Sequence, residues 1–204
     1  QMGNTASDIS ALLVASQAHY SIKDNEQSEV YANQAIKQAE AAMKNNEPAG
    51  YPTWKSCMML KGALLAAKRK WEPAIELYDR LAQQATTRQD IFFIMEGHRI
   101  SGHLYYVRGR MQPAFEKLLL AMVAASNLDK KVIRESTFLH AAHLALFIGK
   151  SIKDKNEITN LENQLEDWIG DDWKELLNEG ELEKTTIKVK RKFPLDLELK
   201  DNSK

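Results

Sequence analysis

Gly62-Ala63-Leu64-Leu65, then Trp71-Glu72-Pro73-Ala74, then Tyr78 and Leu81, is the stretch on which the fold turns. Adding forty to each number gives Gly102-His103-Leu104-Tyr105, then Met111-Gln112-Pro113-Ala114, then Leu118 and Ala121. A small residue recurs where two helices would cross. A Pro-Ala pair recurs where the second helix would start, since proline suits a first helical turn. A third pass reaches Ala142 and Gly149 and then degenerates. Paired helical segments returning at this period imply an α-solenoid, in which no hairpin buries its apolar face alone and neighbours must stack.

Helical periodicity extends outward in both directions, and strand alternation is nearly absent. Ile9, Leu12, Leu13, Ser16 and Tyr20 give a first helix, with Asp8 as its N-cap. Residues 26–44 give a second, rich in alanine, before the break at Asn45-Asn46-Glu47-Pro48-Ala49-Gly50. The third starts near Pro52, the fourth near Pro73, the fifth covers about 90–107 and stops at Gly109, and the sixth opens at Pro113. A seventh is expected over about 130–148, closed by Gly149. Ile158, Leu161, Leu165, Trp168 and Ile169 mark an eighth that Gly170 ends, and Asp171 is placed to cap a short ninth.

The ordered set resembles the tetratricopeptide repeat family. That family's unit is an antiparallel helix pair with a small residue midway in the first helix and an aromatic three residues later. A turn glycine, an aromatic before the second helix and an early alanine follow. Gly102, Tyr105, Gly109, Met111, Ala114, Leu118 and Ala121 follow that order; Gly62, Leu65, Trp71, Ala74, Tyr78 and Leu81 follow it in part, with Arg69 at the turn glycine and Met58 at the first-helix tryptophan. The family unit has about 34 residues, and HEAT and armadillo units lie nearer the length seen here. The order of residue types favours the tetratricopeptide-like reading. The expected fold is therefore all-α: a right-handed α-solenoid of three to four hairpins, a C-terminal capping helix and an extended tail. The expected divisions are a leading segment over 1–7, the repeat domain over 8–150, acidic capping helices over 151–180 and a basic tail over 181–204.

Composition narrows the function classes. With 28 Lys+Arg against 28 Asp+Glu, the formal net charge of zero speaks against a chain that binds nucleic acid through bulk charge. No apolar run approaches the roughly 18 residues of a membrane span. A single cysteine, Cys57, forbids an internal disulfide and any site with two thiolates, which suits a cytoplasmic setting. Cys57 reads as a buried, inert thiol. Gln1-Met2-Gly3 reads as an expression remnant before a start at Met2; a processed mature end and an N-myristoylation pattern at Gly3 are the other readings.

Candidate chemistry is sparse. His140 and His143 lie three apart on one helix, but zinc needs two further ligands and no motif supplies them. No phosphate-cradling glycine loop or nucleophile elbow is present. No catalytic, cofactor or metal site is expected. From Glu157 to Glu183 there are ten acids and one base, Lys174, which suits a solvated capping face or an acidic docking surface. Residues 184–192 are basic and alternating, which fits a tail that folds back, an added strand or a nuclear-localisation-like run.

The resemblance implies a concave groove lined by first helices. Its positions fall on Ser56, Met59 and Ala63, on Glu96, Arg99, His103 and Tyr106, and on Ser136, Leu139 and His143. Arg99 can fork onto a carboxylate, Tyr106 offers a flat contact with a polar end, and Met59 and Leu139 offer adaptable apolar surface. Glu96 and Arg99 can equally pair with each other. The implied function is a non-catalytic protein-interaction module, as adaptor, scaffold or assembly or secretion chaperone, with a protein or peptide partner. A regulatory sensor of a small ligand or signalling peptide is the alternative, an enzyme is a third class, and a second copy of the chain is a further candidate partner.

Overall fold

A computed structural model describes residues 5–126, 128–129, 137–152 and 155–177, and every regular element among them is a helix. They are α1 (Thr5–Ser21), α2 (Asn25–Lys44), α3 (Gly50–Ala67), α4 (Trp71–Thr87), α5 (Ile91–Val107), α6 (Met111–Ala125), α7 (Phe138–Ile152), α8 (Lys155–Ile169) and α9 (Trp173–Leu176). The chain divides into two compact units, Gln1–Leu81 and Ala82–Lys204, with the division falling inside α4.

One turn joins the helices from α1 to α6. Lys23, Asn46, Arg69, Gln89 and Gly109 all have φ between 55° and 70°. The residue after each sends its N–H back five residues, as in Lys70 N to Leu65 O at 2.9 Å and Arg110 N to Tyr105 O at 2.9 Å. This closure occupies carbonyls that a helix end otherwise leaves without a partner. Only Gly109 carries the residue that the left-handed region favours. Lys23 to Arg69 is 46 residues and Arg69 to Gly109 is 40, chiefly because α2 has 20 residues where α4 has 17 and the linker after it is longer. That difference is why the forty-residue register fades toward the N-terminus.

In the first unit, α2 packs on α1 and α3 through Ala32, Ala35 and Ala39, all fully buried. Two serines bring α1 and α2 together: Ser16 Oγ donates to Ser28 O at 2.7 Å and Ser28 Oγ donates to Ser16 O at 2.8 Å. Each buried hydroxyl is thereby satisfied, which such a crossing requires. Asp24 caps α2 by accepting from Gln27 N at 3.2 Å. That bond and the His19 ring, 2.9 Å away, hold its carboxyl below the usual range. Further along, Gly62 of α3 faces Tyr78 of α4. A Cβ on Gly62 would lie 2.4 Å from the Tyr78 ring, so only glycine admits this fully buried tyrosine as it sits. The Tyr78 hydroxyl donates to Met59 O at 3.2 Å.

In the second unit the same relation returns between Gly102 of α5 and Leu118 of α6, where a Cβ would lie 2.8 Å from Leu118 Cγ. The core continues through Phe115, Met122, Phe138, Ala142, Leu161, Leu165 and Ile169. Phe138 meets Trp168 edge-on at 5.9 Å. Three expectations are corrected here. Gly149 does not close α7, which runs on to Ile152; a Cβ at Gly149 would lie 3.2 Å from Ile158, so this glycine serves close packing rather than a turn. Asp8 stands in the first turn of α1 rather than at its cap. Asp172, not Asp171, precedes α9. Gly170 ends α8 with φ 121°. The expected start of the seventh helix over 130–136 and the basic tail over 181–204 lie outside the described residues.

Candidate functional site

In the second unit, α5 and α7 are neighbours, and their facing residues form the candidate site. Glu96 enters it from α5 and is only 2% exposed. A buried carboxylate needs full hydrogen bonding, and three donors supply it. Arg99 Nε donates to Oε1 at 3.1 Å and Arg99 Nη2 to Oε2 at 2.7 Å, a fork on one helix turn. Thr137 Oγ1, just before α7, donates to Oε1. Through Thr137, Glu96 thus ties α5 to the residue before α7.

His140 lies beside this cluster. Burial pushes its imidazole down to about 4, and the Arg99 charge adds to the effect. The ring is neutral at pH 7. On the next turn of α7, His143 Nδ1–H donates to Leu177 O at 3.0 Å and so ties α7 to the residue after α9.

Beyond the buried cluster the face becomes aromatic. The His103 and Tyr106 rings lie 6.3 Å apart. Tyr106 meets Phe147 of α7 edge-on at 6.1 Å. Phe147 is 51% exposed on a helix that otherwise buries most of its apolar residues. Below Phe147, α7, α8 and α9 leave a recess of about 320 Å³, with Leu146 and Trp173 among its lining residues.

The residues named from sequence therefore have distinct positions. Glu96, Arg99, His103 and Tyr106 share α5, and His143 stands on the neighbouring α7. Leu139 is buried in the core and presents no surface. Met59 is half-buried in the other unit, where its carbonyl holds Tyr78. Sequence reasoning missed Thr137, His140 as a partner of the buried pair, and Phe147. Phe147 had a signal: it stands one helical turn beyond His143, on the same stripe.

Among the described residues no group of three or more His, Cys, Asp or Glu is placed to hold a metal ion. No described helix is long and apolar enough to cross a membrane. Cys57 is fully buried and burial raises its thiol to about 12, so it stays protonated at neutral pH.

No protein-family model matches the chain, and no curated protein matches its sequence. Among solved structures it is similar to the apo form of RapI, with a TM-score of 0.66 and 15% identity. The match covers 80% of this chain and 56% of that one, so the chain spans little more than half the length of this structural relative. At that identity the likeness establishes a shared fold, an all-helical repeat of consecutive hairpins.

Proposed function

We propose that the chain is a non-catalytic protein-interaction module that holds a peptide or partner segment on the face formed by α5 and α7. The observation that carries this reading is the row His103, Tyr106 and Phe147, with ring separations of 6.3 and 6.1 Å and a half-exposed phenyl at its end. Leaving that much aromatic surface in water has a cost that a partner would remove. Aromatic anchors of this kind dominate binding energy in protein interfaces. Beneath the row, the forked Arg99–Glu96 pair fixes the α5 backbone, so the anchors are presented without a large ordering cost. Arg99 serves here as a support for the face, and His103, Tyr106, His143 and Phe147 are its contact residues. A cytoplasmic setting belongs to the same reading and is supported by the single, buried cysteine.

Affinity capture from the native host, comparing the wild-type chain with Tyr106→Ala and Phe147→Ser, tests the proposal. A partner retained by the wild type and lost from both variants is expected. Equal recovery by all three removes the face as the binding site.

A further inference from the structure

The recess beyond Phe147 has a chemistry of its own. Its floor is apolar: Leu146, Trp173 and Leu177 are all buried. Its rim carries two bases, Lys150 and Lys174, against one acid, Glu162, with His143 completing the lining. Lys174 Nζ stands 5.3 Å above the Trp173 ring, which holds the ammonium directly over the floor.

We infer that this recess is the specificity pocket of the α5–α7 face, taking one bulky apolar side chain of the partner peptide with a carboxylate beside it. The inference rests on the interaction reading above and names the chemistry of its partner. Three observations carry it. A volume of about 320 Å³ lies at the low end of ligand cavities, about 300–1,000 Å³, which fits one side chain and its flanking groups rather than a large cofactor. Phe147 is both the end of the aromatic row and a wall of the recess, so a peptide crossing Tyr106 meets the recess next. The rim charges favour an anion there, while the acids Glu157, Glu166 and Asp167 of α8 repel one elsewhere on that helix. An apolar side chain fills the floor and the adjacent carboxylate meets Lys150 and Lys174.

The test uses the full chain and three blocked dipeptides: N-acetyl-leucyl-aspartyl amide and its asparaginyl and lysyl counterparts. Binding is followed by NMR at the indole N–H of Trp173. The aspartyl probe is expected to shift that signal and to bind about tenfold more tightly than the lysyl probe. Lys150→Glu/Lys174→Glu, two substitutions at exposed sites, is expected to invert the preference. Equal binding of all three probes, no shift at Trp173, or an unchanged preference in the double variant overturns the inference. The two readings fail separately. Partner capture lost in Tyr106→Ala but unaffected by the double lysine variant removes the recess alone. Charge-selective filling of the recess with full capture by Tyr106→Ala removes the face alone.

Discussion

Thr137 Oγ1 donates to Glu96 Oε1 across 41 residues of sequence, while Arg99 forks onto the same carboxylate from one turn away. Removing one member of a buried ion pair leaves the other charge without compensation. Arg99→Ala is therefore expected to lower stability by about 3 kcal/mol in urea unfolding. Thr137→Val is expected to cost about 1.5 kcal/mol, the loss of one hydrogen bond to a buried charge. Glu96→Leu/Arg99→Met should be nearer to wild type than Arg99→Ala. If Arg99→Ala unfolds at the wild-type midpoint, the buried pair does not compensate the Glu96 charge.

Gly62 and Tyr78 make a steric prediction. A methyl group at Gly62 would meet ring carbons of Tyr78 at 2.4 and 2.6 Å. Gly62→Ala is expected to destabilise by about 2 kcal/mol through overpacking. Gly62→Ala/Tyr78→Ala should then cost less than the sum of its single changes, because the added methyl finds room. Strict additivity of the two changes in denaturant unfolding would count against the close crossing.

The recurring turn predicts two opposite effects of glycine. Arg69 has φ 57° and Gly109 has φ 70° at equivalent places. Arg69→Gly is expected to raise stability by about 0.5 kcal/mol, because glycine carries no Cβ penalty in that region. Gly109→Ala is expected to lower it by about 1 kcal/mol, although nothing stands within 4 Å of the added Cβ. The melting temperature of each variant reads the sign directly.

His140 predicts a pH dependence between pH 6.5 and pH 4. Its folded value is lowered from 6.5 to about 4, so between those limits the unfolded chain binds more protons. Stability contributed by neutral His140 is complete above pH 6.5 and falls as pH drops toward 4. The loss should be about 3 kcal/mol across that window. Urea midpoints measured from pH 7 to pH 4.5 check it, and His140→Gln should flatten the slope. A slope that survives this substitution assigns the effect to another group.

Much of the fold was legible because close helix crossings leave a mark on residue type. Gly62 and Gly102 announced their crossings, and Asp90, Pro73 and Pro113 placed helix starts to within two residues. The pair of α1 and α2 was harder to see because Ser16 and Ser28 stand there in place of Gly62 and Ala74, and because the interval to the next equivalent turn is 46 residues rather than 40. Gly149 misled because a glycine near a helix end reads as a stop, and only a neighbouring side chain distinguishes packing from turning. The site was legible in part. Glu96 and Arg99 were visible as neighbours on one helix face, but the burial of Glu96 depends on Thr137, which no local pattern links to it. The recess was not legible, since it joins α7 to α9 through tertiary packing alone.

The five left-handed junctions have a consequence for how such a chain can grow. Since Lys, Asn, Arg, Gln and Gly all close the same loop, a hairpin can be spliced between two of them without designing a new joint. Tandem duplication of residues 70–109 would keep both seams in register, which makes lengthening by gene duplication an accessible route for this architecture.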